Sequence, residues 1–346
     1  MMTITRAACI GGGVIGAGWV ARLVLNGIDV AIFDPDPQAE RKVGAVLAGA
    51  RRAYQRMAGQ YLPKEGGIRY AASIADAVEG TTLIQESVSE RLELKHAVLA
   101  EIDAHAAANA IVGSSTSGIK PSDMQTAMRR PERLVVAHPF NPVYLLPLVE
   151  IVGGEKTAGE HVERARALYA SIGMKPVVVR KEIEAFVADR LLEAIWRESL
   201  WLIKDGICTT EELDDIVRYG FGLRYAQMGV FETYRIAGGE AGMRHFMAQF
   251  GPCLTWPWTR LMDVPEFNDE LVDLIADQSD AQSGQWSIRD LERIRDDNLV
   301  AVMQALSRQN KGKGWGAGAL HKDYLARLAE TARPDKDAGD GNGSET

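Results

Sequence analysis

Ala8-Cys9-Ile10-Gly11-Gly12-Gly13-Val14-Ile15-Gly16-Ala17-Gly18-Trp19 runs a short apolar segment into glycines spaced G-x-G-x-x-G. Small and apolar residues then open a helix, the strand–turn–helix setting that gives this pattern its physical meaning. Gly11 permits the tight turn, Gly13 lets a pyrophosphate lie against the backbone, and Gly16 lets helix and strand pack closely. Val14 and Ile15 stand between the second and third glycines, and the helix N-terminus that follows offers free N–H groups and a positive dipole end to the phosphates. About 20 residues further on, a second apolar run ends in Ile32-Phe33-Asp34. A carboxylate there accepts the ribose hydroxyls of a dinucleotide and repels a 2'-phosphate. No arginine directly follows Asp34, so the expected cofactor is NAD and not NADP.

The same alternation continues outward from this loop. Strands are expected at Ala7–Ile10, Val30–Phe33, Leu83–Glu86, Ile111–Ser114, Leu134–His138, Leu148–Val152 and Pro176–Val179, with helices at Gly16–Leu25 and Pro37–Met57. Several of these strands are nearly continuous apolar runs, as in parallel sheets covered on both faces. The expected fold is therefore α/β, an N-terminal doubly wound Rossmann-type domain. After Lys181 the apolar spacing becomes helical from Ile183 to Asp205, and Thr209 with Glu212 forms a capping-box pattern. The division expected is an NAD-binding domain over 1–181, a mainly helical substrate and dimerisation domain over 182–330, and a disordered tail over 331–346.

Composition narrows the function classes. The chain has 346 residues, enough for two domains, and a formal net charge of -8. An acidic surface disfavours nucleic acid and anionic membranes as partners. No segment reaches the ~18 apolar residues of a membrane helix, and the N-terminal run lacks the basic start of a signal peptide. A cytoplasmic location follows as an expectation. Cys9, Cys208 and Cys253 are few, scattered and without metal-ligand spacing. They read as reduced, buried thiols, with no metal expected.

Three polar clusters fall at the C-terminal ends of expected strands, where open α/β sheets bind ligands. They are Gly113-Ser114-Ser115-Thr116-Ser117-Gly118, Ala137-His138-Pro139-Phe140-Asn141-Pro142, and Glu150 in Leu148-Val149-Glu150-Ile151. Oxidation of an alcohol needs a base for the hydroxyl proton while hydride leaves for the nicotinamide. Histidine suits that role near pH 7, and a buried carboxylate can orient its ring. Ser117 can hydrogen-bond the reacting oxygen. Each residue alone also has a plainer reading: His138 as a core histidine, Glu150 as a strand-end charge, Ser117 as a helix cap.

Together these blocks, with Phe186-Val187-Ala188-Asp189-Arg190-Leu191-Leu192, resemble the L-3-hydroxyacyl-CoA dehydrogenase superfamily from about residue 4 to residue 260. The resemblance implies His138 as catalytic base, Glu150 as its partner, Ser117 at the substrate oxygen and Asn141 beside the nicotinamide. It also implies that Glu90 and Lys95 lie on the cofactor side, and that the protein is a homodimer. One position departs, since the family pattern carries asparagine where this chain has Asp189. That change, with the blocks 138–150 and 242–252, is similar to members acting on small free hydroxy acids, including one that carries a quaternary ammonium. Such a cation is held by aromatic faces and negative potential. Phe140, Tyr144, Phe186, Trp196, Phe231, Tyr234 and Phe250 are candidate walls, and Asp189 the candidate charge. Ser115, Arg190 and Arg197 are candidates for a substrate carboxylate. A polyhydroxylated acid or an acyl-CoA thioester remains open, and a binding role without turnover would leave the proton-transfer set unused.

Overall fold

The computed structural model describes residues 4 and 6–332, apart from 60–61, 227–228, 238–241, 251–252, 254–255, 262–267, 272, 275–276 and 278–284. The tail expected over 331–346 lies, from residue 333 onward, outside the described residues. Alternation along β1 (Arg6–Ile10) sets the layers, because successive side chains point to opposite faces. Ala7 and Cys9 join the core on one face, Ala8 and Ile10 the core on the other. In chain order there follow α1 (Val14–Leu25), β2 (Asp29–Phe33), α2 (Ala39–Ala58), β3 (Ile68–Tyr70), α3 (Ile74–Val78), β4 (Leu83–Glu86) and α4 (Leu92–His105). Next come β5 (Ile111–Ser114), α5 (Pro121–Gln125), β6 (Leu134–Pro139), β7 (Leu148–Gly153), α6 (Gly159–Ser171) and β8 (Lys175–Val179).

The sheet runs β3-β2-β1-β4-β5-β6-β7-β8, so the winding reverses between β1 and β4. That switch point opens a crevice at the carboxyl ends of the strands. All pairs are parallel except β6 with β7. The connection 140–147 is too short for the helical crossover that a parallel return requires, so β7 turns back antiparallel to β6. Two further differences concern the edges. β3 has only three residues and no apolar run to reveal it, and β8 leaves Val177 and Val178 exposed instead of buried.

Beyond β8 lie α7 (Ala188–Lys204), α8 (Thr210–Ile216), α9 (Gly222–Tyr225), α10 (Gly229–Ala237), α11 (Gly242–Phe250), α12 (Ile288–Ser307) and α13 (Ala317–Thr331). The capping box of Thr209 and Glu212 is present at α8. α7 starts later than its apolar spacing suggests, because Ala185 and Phe186 adopt left-handed backbone at φ 60° and 49°. Its apolar stripe (Leu191, Leu192, Ile195 and Trp196) is exposed. α12 and α13 pack back on the first domain: Arg52 and Arg56 of α2 pair with Asp297, and Tyr324 hydrogen-bonds Tyr54 at 2.8 Å. No described helix is long and apolar enough to cross a membrane. The three cysteines are free, but only Cys9 is buried, which pushes its thiol up to about 12; Cys208 and Cys253 are half-buried, correcting the expectation for those two.

Candidate active site

The glycine loop is built by close approach. A Cβ on Gly11, at φ 99°, would stand 2.6 Å from the Ser87 carbonyl oxygen, and one on Gly16 would stand 1.9 Å from the Gly11 oxygen. A Cβ on Gly13 would meet nothing within 4 Å. The loop is thus closed on its protein side and open above Gly13. α1 starts there without a side-chain cap, leaving backbone donors for an anion. Asp34 Oδ2 accepts from Gly12 N at 2.6 Å, which ties the end of β2 to the loop. An open backbone cradle beside a strand-end carboxylate fits the pyrophosphate and ribose of NAD.

At the far side of the crevice, the antiparallel register sets His138 directly opposite Glu150. His138 Nδ1 lies 2.9 Å from Glu150 Oε2, with only 5% and 3% of the side chains exposed. A carboxylate accepts only, so Nδ1 donates to Glu150 and Nε2 is the ring nitrogen not committed to it. Glu150 Oε1 accepts from the backbone N–H groups of Val187 and Ala188, each at 3.1 Å. Phe140 and Phe186 flank the imidazole at ring distances of 5.3 and 5.8 Å. Asp189, in the first turn of α7, brings Oδ2 to 3.6 Å from Nε2. Burial pushes the Asp189 carboxyl above the usual range; His138 opposes this, while Glu150, Glu193 and Glu90 reinforce it.

Glu90 forms the third side. It accepts from the Thr116 hydroxyl and from the N–H groups of Ser117 and Gly118 at 3.1 and 3.2 Å. Burial works against its charge, but the Thr116 hydrogen bond, Lys95 and the Gly118 N–H hold its carboxyl below the ordinary value. The exposed Ser117 is fixed by its backbone on Glu90, three residues beyond the carboxyl end of β5. Asn141 is also exposed and precedes a cis Pro142.

Several expected roles change. Lys95 is buried, and its ammonium is spent on Glu86, Glu90 and the Val88 carbonyl, so it supports Glu90 instead of standing open to a ligand. The Ser115 hydroxyl meets Trp19 Nε1, Gln85 Nε2 and Ser87 Oγ at 3.1, 2.7 and 2.9 Å. Its capacity is filled, so it is not the substrate carboxylate contact. Phe186 is fully buried, a support for His138 more than a wall open to ligand. Phe231 is exposed on α10 and Phe250 stacks on Phe246; among the described residues neither makes a ring contact with His138. Arg197 pairs with Glu193 and Arg190 is exposed. Glu86 escaped the sequence reading, yet a carboxylate closing the buried strand β4 signals an internal partner. Here the partners are Lys95 and Ser114.

A dinucleotide cradle and a histidine–carboxylate pair at one crevice define an NAD-dependent dehydrogenase. The models for the 3-hydroxyacyl-CoA dehydrogenase NAD-binding domain and C-terminal domain match residues 6–183 and 186–263. The chain belongs to the 3-hydroxyacyl-CoA dehydrogenase family. It is 76% identical over 333 residues to L-carnitine dehydrogenase from Mesorhizobium japonicum, covering 96% of this chain and 92% of that one. It is 62% identical to an L-carnitine dehydrogenase/betainyl-CoA thioesterase from a Rhizobium species, over 98% of this chain and 69% of the relative. A crystal structure of an NAD-dependent 5-formyl-3-hydroxy-2-methylpyridine 4-carboxylic acid 5-dehydrogenase is similar at 30% identity and a TM-score of 0.73. That match covers 89% of this chain and 100% of the other.

Proposed function

We propose that the protein oxidises L-carnitine to 3-dehydrocarnitine, with His138 as general base paired to Glu150. The observation that carries the substrate choice is Asp189, 3.6 Å from His138 Nε2 within a group of carboxylates. A carboxyl whose burial disfavours its charge gains when a cation arrives. A trimethylammonium offers charge without hydrogen-bond donors, and Phe140 beside His138 adds an aromatic face. The identity to L-carnitine dehydrogenases over nearly the whole chain supports the same substrate. NAD, when bound, supplies the hydride acceptor. His138 Nε2 takes the hydroxyl proton, Glu150 stabilises the imidazolium through Nδ1, and Ser117 steadies the substrate oxygen with Asn141 nearby. Glu90 lies on the nicotinamide side.

Absorbance of NADH with L-carnitine, L-gulonate and 3-hydroxybutyryl-CoA separates carnitine from the polyhydroxy acid and thioester readings. His138→Ala should lower turnover by roughly 10²–10⁴-fold while NADH still binds. Asp189→Asn should weaken carnitine by about ten- to a hundredfold, and an uncharged tert-butyl isostere much less. Equal losses on both would reject cation recognition while leaving the dehydrogenase intact. The exposed stripe of α7 and α8, lining a cleft of about 530 Å³ with Leu192, Trp196 and Leu213, is proposed as the homodimer face of a cytoplasmic protein. Light scattering checks it: Trp196→Glu should yield monomer.

A further inference from the structure

The helical hairpin α12–α13 lies beyond both matched family models, yet it reaches the crevice. Arg293 and Asp296 of α12 line a cleft of about 380 Å³ together with Val14 of the glycine loop, Arg52 of α2, Asn141 and Tyr144. Asp296 is only 2% exposed, and its Oδ2 accepts from the Tyr144 hydroxyl at 2.7 Å. Tyr144 belongs to the connection between β6 and β7, three residues after Asn141 and six after His138. The same connection is tightened by Leu145 N and Leu146 N, both donating to Pro142 O at 2.9 Å. Arg22 reaches it from beneath, donating to the Val143 and Leu146 carbonyls. The backbone is thus held from below by the first domain, and its one aromatic hydroxyl is held from above by α12.

From this we infer that Asp296 is a positioning residue: through Tyr144 it fixes the segment that presents Asn141 to the reacting centre. The hairpin is then a working wall of the crevice as well as a cover for α2. A buried hydrogen bond to a carboxylate has the strength for this, since it is shorter and firmer than a neutral one. A shift of about 1 Å in a substrate-positioning group is enough to slow a reaction by about a hundredfold. The inference rests on the dehydrogenase chemistry and not on which hydroxy acid is oxidised.

The test compares Tyr144→Phe, Asp296→Ala and Asp296→Asn with Leu328→Ala, which thins the buried docking surface on α13 and takes no part in the Tyr144–Asp296 hydrogen bond. Full-length proteins are assayed with L-carnitine and NAD, NADH affinity is read by fluorescence, and amide exchange is followed at Leu145 and Leu146. Expected is a fall in kcat of roughly tenfold for Tyr144→Phe and Asp296→Ala, with KM and NADH affinity within about threefold. Asp296→Asn, which keeps an acceptor oxygen but not the charge, should recover part of the rate. Leu328→Ala should lower Tm and leave kcat in place. Amide exchange should quicken in the two damaging variants and not in Leu328→Ala. Failure of the wild type on carnitine would reject that substrate alone, since the exchange arm needs no turnover. A rise in KM with kcat unchanged would make Asp296 a direct substrate contact. That result, or exchange at Leu145 and Leu146 unaltered in Asp296→Ala, would overturn the positioning role.

Discussion

Glu150→Gln is the sharpest perturbation of the proposed catalytic pair, because it removes a charge while keeping the shape. Glu150 uses both oxygens: Oε2 for His138 Nδ1 at 2.9 Å, and Oε1 for the Val187 and Ala188 N–H groups at 3.1 Å. Glutamine has one oxygen and one NH₂, so it can serve only one side. If its oxygen faces α7, the NH₂ meets Nδ1 and forces the proton to Nε2, which disables the base. If its oxygen faces His138, the NH₂ confronts two N–H donors, and unsatisfied buried donors cost about 1–3 kcal/mol each. Even with the right tautomer, the imidazolium loses a charge-assisted hydrogen bond worth about 1.5–3 kcal/mol. At about 1.4 kcal/mol per tenfold in rate, that alone is roughly 10–150-fold. A wrong tautomer in the comparable serine-protease triad costs about 10⁴. The expected loss in single-turnover oxidation is therefore roughly 10²–10⁴-fold, with NADH affinity retained within about threefold. Turnover within about threefold of wild type would refute the role assigned to Glu150.

Other substitutions probe the cofactor loop and the frame. Asp34→Ala should narrow the preference for NAD over NADP, read as the ratio of kcat/KM values; it should also loosen the loop, since Gly12 N loses its acceptor. Native use of NADP as readily as NAD would contradict the reading of Asp34. Gly16→Ala should abolish NADH binding or folding, because its Cβ would lie 1.9 Å from a backbone oxygen that no side-chain rotation can relieve. Asp103→Asn should destabilise by about 3–5 kcal/mol in denaturant unfolding, leaving the buried Arg133 without its charge partner. Burial opposes the Asp103 charge, but Arg133 and the Arg129 and Arg130 N–H groups hold its carboxyl below the usual range. A depressed folded-state value stabilises above the unfolded value near 3.9 and is lost as pH falls through the folded one. The variant's stability should accordingly vary less with acid than that of the wild type.

The sheet was legible where apolar runs were long and both faces were covered, as in β1, β4, β5 and β6. Periodicity records burial, so it passed over the three-residue edge strand β3 and overrated the burial of β8. It carries no strand direction, and only the shortness of the connection 140–147 hinted that β7 turns back. The partners His138 and Glu150 came from the family pattern, but their opposition is a matter of register. Lys95 and Ser115 were harder. Their side-chain chemistry suits a ligand, and only the fold reveals that their hydrogen-bonding capacity is already filled from within. The reach of α12 to Tyr144 spans most of the chain, beyond anything local spacing can encode.

Glu150 also explains why the two halves of the chain work as one site. Its first oxygen anchors the start of α7 and its second orients His138, so the helical part is docked through the proposed catalytic pair. The left-handed pair Ala185 and Phe186 makes this possible by turning the chain between β8 and α7. Non-glycine residues in that conformation cost on the order of 1–3 kcal/mol each and persist only where their surroundings hold them. Phe186 is held by full burial against His138, which offsets its backbone strain. The turn delivers Val187 and Ala188 to Glu150, and the next residue, Asp189, follows on the other nitrogen of the same imidazole. An asparagine at 189 would leave this docking unchanged and remove only a charge. Position 189 thus lies apart from the Glu150 hydrogen bonds but within reach of the His138 ring, so on the proposed reading a change of charge there would act on the substrate and on the imidazole together.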